Sequence, residues 1–384
     1  MFKRNVLAVS MAVAGLCSAQ AMAAVVGGGA TLPQNLYNTA TVLSSGFNAY
    51  IGVGSGAGKS AVLTNDSTKL GLASGITVDY AGSDSILSAS EISTYQAAHQ
   101  SPAVPTSSAA NWGPLVQVPS AATSVTIPYK LTLAGGAALN NLDLTSAQLC
   151  DIFSGTITTW NQVNASYPAT AITVVYRAGS SGTTEIFTRH LNSQCSAKFT
   201  TNSTFTTANV GAEPASWIAA TGSANLASTV ASTEGAIGYV GPEDVDATNN
   251  AVVAKVNGLL PTIGNVTTAL STIAPPSTAA DRADPSKWVP VLANPASGYK
   301  IVGYTNLVFS QCYKDTADRT SIRDFVGRHY NTDDLNNNDD EIIANKLIPL
   351  TDDWKTAVRS TFYTPTNSLA IGNTTACNQI GRPL

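Results

Sequence analysis

Apolar residues along the chain fall into two alternating kinds of run. Short β-branched segments, Ser124–Tyr129 (SVTIPY), Ile172–Tyr176 (ITVVY), Ala236–Val240 (AIGYV) and Ile301–Tyr304 (IVGY), predict buried strands. Helical spacing runs over Pro33–Phe47, Thr145–Phe153, Thr183–Leu191, Ser321–Tyr330 and Thr351–Phe362. Strand and helix alternating in this way predict an α/β fold with mainly parallel sheets. No repeat with a period of 20–50 residues interrupts the pattern. The Pro/Thr/Ala-rich passage Ile273–Asp281 reads as a surface linker. Pro119–Pro128 and Ala251–Val256 are candidates for strands that carry the chain from one domain to a second and back.

The N-terminus changes the picture of where this fold resides. Phe-Lys-Arg at 2–4, an apolar stretch from Val6 to Leu16 and Ala21-Met22-Ala23 have the charge, length and small-residue pattern of a secretory signal peptide. The mature chain is expected to start near Ala24, in the periplasm or outside the cell. Lipidation of Cys17 is the weaker alternative, since Leu16 stands where a small residue normally precedes a lipidated cysteine. The stretch is too short to span a bilayer, and no membrane span is expected elsewhere.

Composition then excludes function classes. The 384 residues carry a formal net charge of −4, which becomes −6 when Lys3 and Arg4 leave with the signal peptide. Only 11% of residues are charged and there is no basic block, which argues against a nucleic-acid binder. At 44% hydrophobic the chain buries real cores, and its length suits two to three domains. His99, His190 and His329 are too few and too scattered for a His-based metal cluster, so neither metal nor cofactor is expected. Four cysteines remain after Cys17. An even number in an exported chain suggests two disulfides, and three connectivities are possible. Pairing of nearest neighbours, Cys150–Cys195 and Cys312–Cys377, is expected because each loop then stays within one half of the chain.

Four segments combine glycines, hydroxyls and a predicted helix start. In GGGATLPQNLY (27–37), Thr31 and Gln34 have capping-box spacing with Pro33 in the first turn, so Thr31 is either a helix cap or an anion contact. IGVGSGAGKSAV (51–62) nearly matches a phosphate-binding P-loop, but Val53 stands where the motif needs glycine. An exported protein also lacks cytosolic nucleotide, so Ser55 survives only as a glycine-flanked hydroxyl. In YAGSDSILSASE (80–91), Asp84 follows a strand-like run and is a helix cap or a ligand contact. VVYRAGSSGTTEIFTRHL (174–191) is the most informative. A strand ends in Arg177, and Ser181, Gly182 and Thr183 open a helix whose N–H groups and dipole favour an anion.

With these motifs in this order, the mature chain resembles the periplasmic phosphate-binding proteins of PstS type. It is similar in particular to their DING subgroup and to the secreted L-type alkaline phosphatases of pseudomonads. Further matching stretches are VPSAATSVTIPY, RADPSKWVPV, GYTNLVFSQCYKD and IGNTTACNQIGRPL. The resemblance implies a type II periplasmic-binding-protein fold, with mixed sheets flanked by helices and the ligand between two lobes. Its divisions would be signal peptide 1–23, lobe I in 24–122 and 254–384, and lobe II in 123–253. Carried over position by position, Thr31, Leu32, Ser55, Asp84, Arg177, Ser181, Gly182 and Thr183 would bind phosphate, with Leu32 and Gly182 contributing backbone N–H groups.

The implied partners are inorganic phosphate or its esters, and an ABC-type phosphate permease or a secretion system. The chain departs from the pattern in two places. It starts Ala-Val-Val-Gly where the namesake has Asp-Ile-Asn-Gly, and it has Gly179 where relatives carry an acidic residue, which leaves Arg177 without that neighbour. The resemblance also implies hydrolysis of phosphate esters as an alternative to binding, and Asp84 and Arg177 are then the catalytic candidates. Asp333–Glu341 (DDLNNNDDE) fails the calcium-loop pattern, with Asp339 in place of glycine and Asn345 in place of glutamate, and reads as a solvated loop.

Overall fold

The structure is a computed structural model and describes residues 24–271 and 273–383. The signal segment 1–23, with Cys17 and the Ala21-Met22-Ala23 site, lies outside the described residues. Among the described residues, ten strands form three sheets. Strands β1 (Gly27–Gly29), β2 (Ile51–Gly52), β3 (Tyr80–Ser83), β4 (Leu115–Ser124) and β10 (Val302–Ser310) make a five-stranded sheet in the order β2-β1-β3-β10-β4. In the second lobe, β6 (Thr173–Arg177) lies between β7 (Ile218–Ala220) and β8 (Ala236–Gly238), all parallel. The pair β5 (Asp143–Leu144) and β9 (Lys255–Val256) completes the set. The result is a two-lobed α/β protein with mixed sheets flanked by helices. No helix among the described residues is long and apolar enough to cross a membrane.

Antiparallel β4 and β10 form the spine, and every residue of both is buried. Pro119 sits within β4 because that strand is the sheet edge, where a missing N–H costs no ladder bond. Opposite it, the register shifts between Thr305 and Asn306. Past Ser124 the chain continues into the second lobe, where Thr126 pairs with Val240, Tyr129 with Ile237 and Pro128 with Val253. Strand β9 still pairs with β5 of that lobe, and the chain rejoins the first sheet at β10.

Helix boundaries follow caps more than periodicity. Thr145 and Gln148 form a capping box, so the expected helix runs Ser146–Phe153. The expected Thr183–Leu191 helix runs Gly182–Cys195, and Ser321–Tyr330 is the end of Thr316–His329, which starts earlier because Asp315 caps it. The expected Pro33–Phe47 helix is wrong: it is helical only over Gln34–Tyr37. Thr41 and Gly46 adopt positive φ, so the chain must turn, and apolar spacing cannot carry a helix through them. At Thr351–Phe362 an α-helix over Asp352–Val358 passes into a π turn at Arg359–Tyr363.

Both expected disulfides are formed, Cys150–Cys195 and Cys312–Cys377. The stretch expected to be a solvated loop contains a 3-10 turn at Asp334–Asn336 and a helix over Asp339–Ala344. Asp339 pairs there with the buried Lys355.

Candidate functional site

Close backbone packing brings the first lobe's contribution to the cleft. The helix Ser55–Thr64 lies directly on β1, where a Cβ on Gly58 would run into Gly29 Cα. Only glycine on both sides permits that approach, which aims the helix N-terminus at the second lobe. Gly54 precedes it at φ 99°, a conformation L-residues rarely adopt. From the second lobe, the helices Gly182–Cys195 and Ser223–Ser232 start after β6 and β7 and present their N-termini to the same region. Three sets of N-terminal amides therefore converge.

Ser55 is the joint between the lobes. Its Oγ accepts the Asp84 N–H and the Gly182 N–H, both at 3.1 Å. A hydroxyl with two accepted bonds still has its own proton to donate. The Gly182 amide, expected to point at a ligand, is thus engaged with Ser55 in this structure. Gly182 also packs so tightly on Asp84 that a Cβ there would overlap Asp84 Cβ. Ile86 N–H donates across the same seam to Glu185 Oε1 at 3.3 Å, and Glu185 in turn binds Arg189 at 2.7 Å.

Thr31 does not cap its short helix as its spacing with Gln34 predicts. Its hydroxyl instead meets Ser223 Oγ of the opposite lobe at 2.9 Å. Arg177 donates from Nη1 to that same Ser223 at 3.3 Å, and its backbone N–H donates to the Tyr239 hydroxyl at 3.2 Å. Tyr239 also meets Thr184 Oγ1 at 2.8 Å, which ties the end of β6 to the helix start. Ser181 accepts from Thr184 N–H as the N-cap, at 3.3 Å. Leu32 follows Thr31 and is buried in the main core.

Several polar atoms in this cluster are fully buried without a partner among the described residues: Asp84 Oδ1, Arg177 Nε, Thr183 Oγ1 and Thr305 Oγ1. Native proteins seldom leave such groups unpaired, because each forfeits its hydration. Burial pushes the Asp84 carboxyl up to about 7, against the lowering effects of Thr305 and Arg177 and with a further rise from Glu185. Burial likewise lowers Arg177, opposed by Tyr239, Asp84, Glu243 and Asp244. Two acidic side chains from another part of the chain, Glu243 and Asp244, therefore lie near Arg177 where no acidic residue stands at 179, and burial raises Glu243 well above the usual carboxylate range. Gly179 itself turns at φ 78°, which favours glycine there.

Outside the buried cluster lies an open cleft of about 750 Å³, walled by Thr31, Gln34, Arg177, Ser223, Glu243 and Asp244, among others. Thr31 and Arg177 belong to both the cluster and the wall. The sequence did not point to Ser223, Tyr239, Thr305 or Glu243. Only Ser223 carried a signal: Thr221-Gly222-Ser223 opens a helix after a strand, as Ser181-Gly182-Thr183 does.

Comparisons with known proteins place the chain in a family. Residues 18–326 match the model of the PBP superfamily domain. The chain is 52% identical to alkaline phosphatase L of Pseudomonas aeruginosa, over the full length of both, and 44% identical to a phosphate-binding protein of an unknown prokaryotic organism, over 93% of this chain and 99% of the relative. Among solved structures, a high affinity periplasmic phosphate-binding protein bound with phosphate at pH 8.5 superposes with a TM-score of 0.86 at 44% identity, covering 94% of this chain and all of the other. The phosphate binding protein of Stenotrophomonas maltophilia superposes at 0.84 with 41% identity, over the same shares. The chain belongs to the PBP superfamily, within its PstS/DING-type family of phosphate-binding proteins and L-type alkaline phosphatases.

Proposed function

We propose that this protein captures inorganic phosphate between its lobes, with Thr31, Leu32, Ser55, Asp84, Arg177, Ser181, Gly182 and Thr183 around the anion. The observation that carries the reading is the buried, unpaired set of Arg177 Nε, Thr183 Oγ1 and Asp84 Oδ1 at the seam where helix N-termini converge. A dehydrated dianion needs its oxygens filled by donors, and hydroxyls, amides and one guanidinium supply them. Asp84 repels a fully ionised anion but accepts the proton that hydrogen phosphate carries. Sulfate has no such proton at neutral pH, so the carboxylate selects by penalising the wrong ligand.

In this reading the signal peptide is removed between Ala23 and Ala24, the mature protein works in the periplasm or outside the cell, and scavenged phosphate passes to an ABC-type permease. The lobes are 24–122 with 254–384, and 123–253.

A second reading is favoured by the 52% identity to an alkaline phosphatase: slow ester hydrolysis in the same cleft. Asp84 would handle a proton and Arg177 would stabilise developing charge. Purified mature protein assayed for phosphate binding and for p-nitrophenyl phosphate turnover separates the two. Binding without turnover supports capture alone. Turnover lost in Asp84→Asn and Arg177→Ala supports the shared cleft, and turnover unchanged in both refutes it.

A further inference from the structure

The seam between the lobes holds charged side chains that the binding scheme does not use. Glu185 and Arg189 stand one turn apart on the helix Gly182–Cys195 and pair at 2.7 Å. On an open helix surface such a pair contributes little. Here both side chains are mostly buried, 12% and 9% exposed. The Glu185 oxygen that binds Arg189 also accepts the Ile86 N–H of the first lobe, at 3.3 Å. The Ile86 carbonyl is held from its own lobe by Lys59 Nζ at 3.1 Å, and Lys59 pairs with Glu91 at 3.0 Å. The Ile86 residue is thus gripped at both its N–H and its C=O, two positions after Asp84. Gly182, one turn before Glu185, donates its N–H to Ser55 Oγ, which accepts the Asp84 N–H as well. One face of the helix therefore meets the Asp84–Ile86 segment at both of its ends.

Resting on the phosphate reading above, we propose that Glu185 is a positioning residue that sets specificity through Asp84. Its carboxylate tethers the segment that carries Asp84 and presents a like charge to the Asp84 carboxyl. It thereby sets the pH at which phosphate is told from sulfate. Burial is the main cause that raises the Asp84 carboxyl to about 7; Thr305 and Arg177 oppose it, and Glu185 adds to it. Glu243 from beyond β8 and the hydroxyls of Tyr37 and Tyr50 also face Asp84. Glu185 itself is raised by burial, opposed by Arg189, Lys59 and the Ile86 N–H, with Glu91 adding to the rise. Removing the negative charge of Glu185 lets Asp84 ionise at lower pH, so exclusion of sulfate extends further into the acid range.

Competitive calorimetry of phosphate against sulfate across the pH range of the Asp84 titration tests the proposal in the mature protein, Glu185→Gln, Glu185→Ala and the double variant Glu185→Gln with Arg189→Gln. Glutamine at 185 keeps an acceptor for Ile86 and loses the charge. The double variant does the same without leaving Arg189 buried and unpaired, which guards against misfolding. In both, the midpoint of discrimination should fall by roughly half a pH unit or more. Glu185→Ala loses the acceptor as well and should bind phosphate about tenfold less tightly than Glu185→Gln. A midpoint unmoved in both glutamine variants, or phosphate binding lost in both, overturns the role given to Glu185. Equal affinities of the alanine and glutamine variants overturn the tether. No phosphate binding by the wild type refutes the phosphate reading, and this proposal with it.

Discussion

Replacing Asp84 by asparagine separates recognition of a proton from recognition of charge. The carboxylate is buried between Ser55, Gly182 and Thr305, close enough that Gly182 has no room for a Cβ. At a separation of about 4 Å and an effective dielectric near 20, two unit like charges repel by about 4 kcal/mol. A charge-assisted hydrogen bond returns about 1.5–3 kcal/mol for an anion that donates its proton to the carboxylate. Hydrogen phosphate can therefore offset part of the repulsion and sulfate none of it. Asp84→Asn removes the repulsion for both ligands, so sulfate should gain at least about 2 kcal/mol, some 30-fold in affinity, while phosphate gains less because it also loses the bond that offset the repulsion.

The pH dependence has a definite sign. With the Asp84 carboxyl raised to about 7 in the ligand-free protein, it is neutral below that pH and no longer repels sulfate. Discrimination should be full above pH 7 and weaken as pH falls towards 5, whereas the asparagine variant should give a nearly constant ratio. Competitive calorimetry of phosphate against sulfate at pH 5.5, 7 and 8.5 measures this. Continued exclusion of sulfate by Asp84→Asn at pH 8.5 would refute the assignment of selectivity to that carboxylate.

Three further outcomes follow from other parts of the structure. Gly182→Ala places a Cβ against Asp84 across the seam, so the packed arrangement should lose about 1–3 kcal/mol, read as a lower melting temperature together with weaker phosphate binding in calorimetry. Asp79 is buried, with one oxygen accepting Val26 N–H and the other unpaired, and burial pushes it up to about 7, helped by Asp318 and opposed by the Val26 bond and Arg382. A carboxyl raised in the folded state has its stabilising effect below its unfolded pKa and loses it as pH rises through 7. Urea stability should therefore fall from pH 5 to 8 in the wild type and fall less in Asp79→Asn. Finally, the bridges span sequence separations of 45 and 65 residues, and replacing either pair by alanine should cost about 2–5 kcal/mol in urea unfolding without changing phosphate affinity.

The elements read most clearly in the sequence were those with consistent local signals. ITVVY became the centre of the second sheet because β-branched residues buried on both faces have few alternatives to a central parallel strand. Thr145 and Gln148 marked a helix start through a bond pattern that the sequence encodes within four residues. The same reasoning misplaced Thr31, whose spacing with Gln34 is equally good. A tertiary partner, Ser223, 192 residues away, takes its hydroxyl. Strand β1 was invisible as a strand, since three glycines carry no β signal. Their necessity lies in the crowding by Tyr80, Ile51, Gly82 and Gly58.

Around the site, glycine-flanked hydroxyls and Arg177 were legible because helix N-termini have a local signature. Tyr239, Thr305 and Glu243 were not, because each reaches the cluster through the packing of a distant strand or turn. Glu243 and Asp244 also answer the departure at Gly179: the acidic groups facing Arg177 come from beyond β8. Net negative charge and a buried carboxylate mean that long-range attraction cannot be how this protein takes an anion. Local donors must do so.

The most direct measurement is a calorimetric titration of inorganic phosphate into the mature protein, beside Arg177→Ala, with sulfate as control at pH 8. Arg177 supplies the full positive charge of the cluster, and losing its bonds to the anion removes about 3 kcal/mol or more. Saturable one-to-one phosphate binding, weakened at least about 100-fold in Arg177→Ala and absent with sulfate, is the predicted result. Equal binding of both anions, or phosphate binding indifferent to Arg177, would contradict the account.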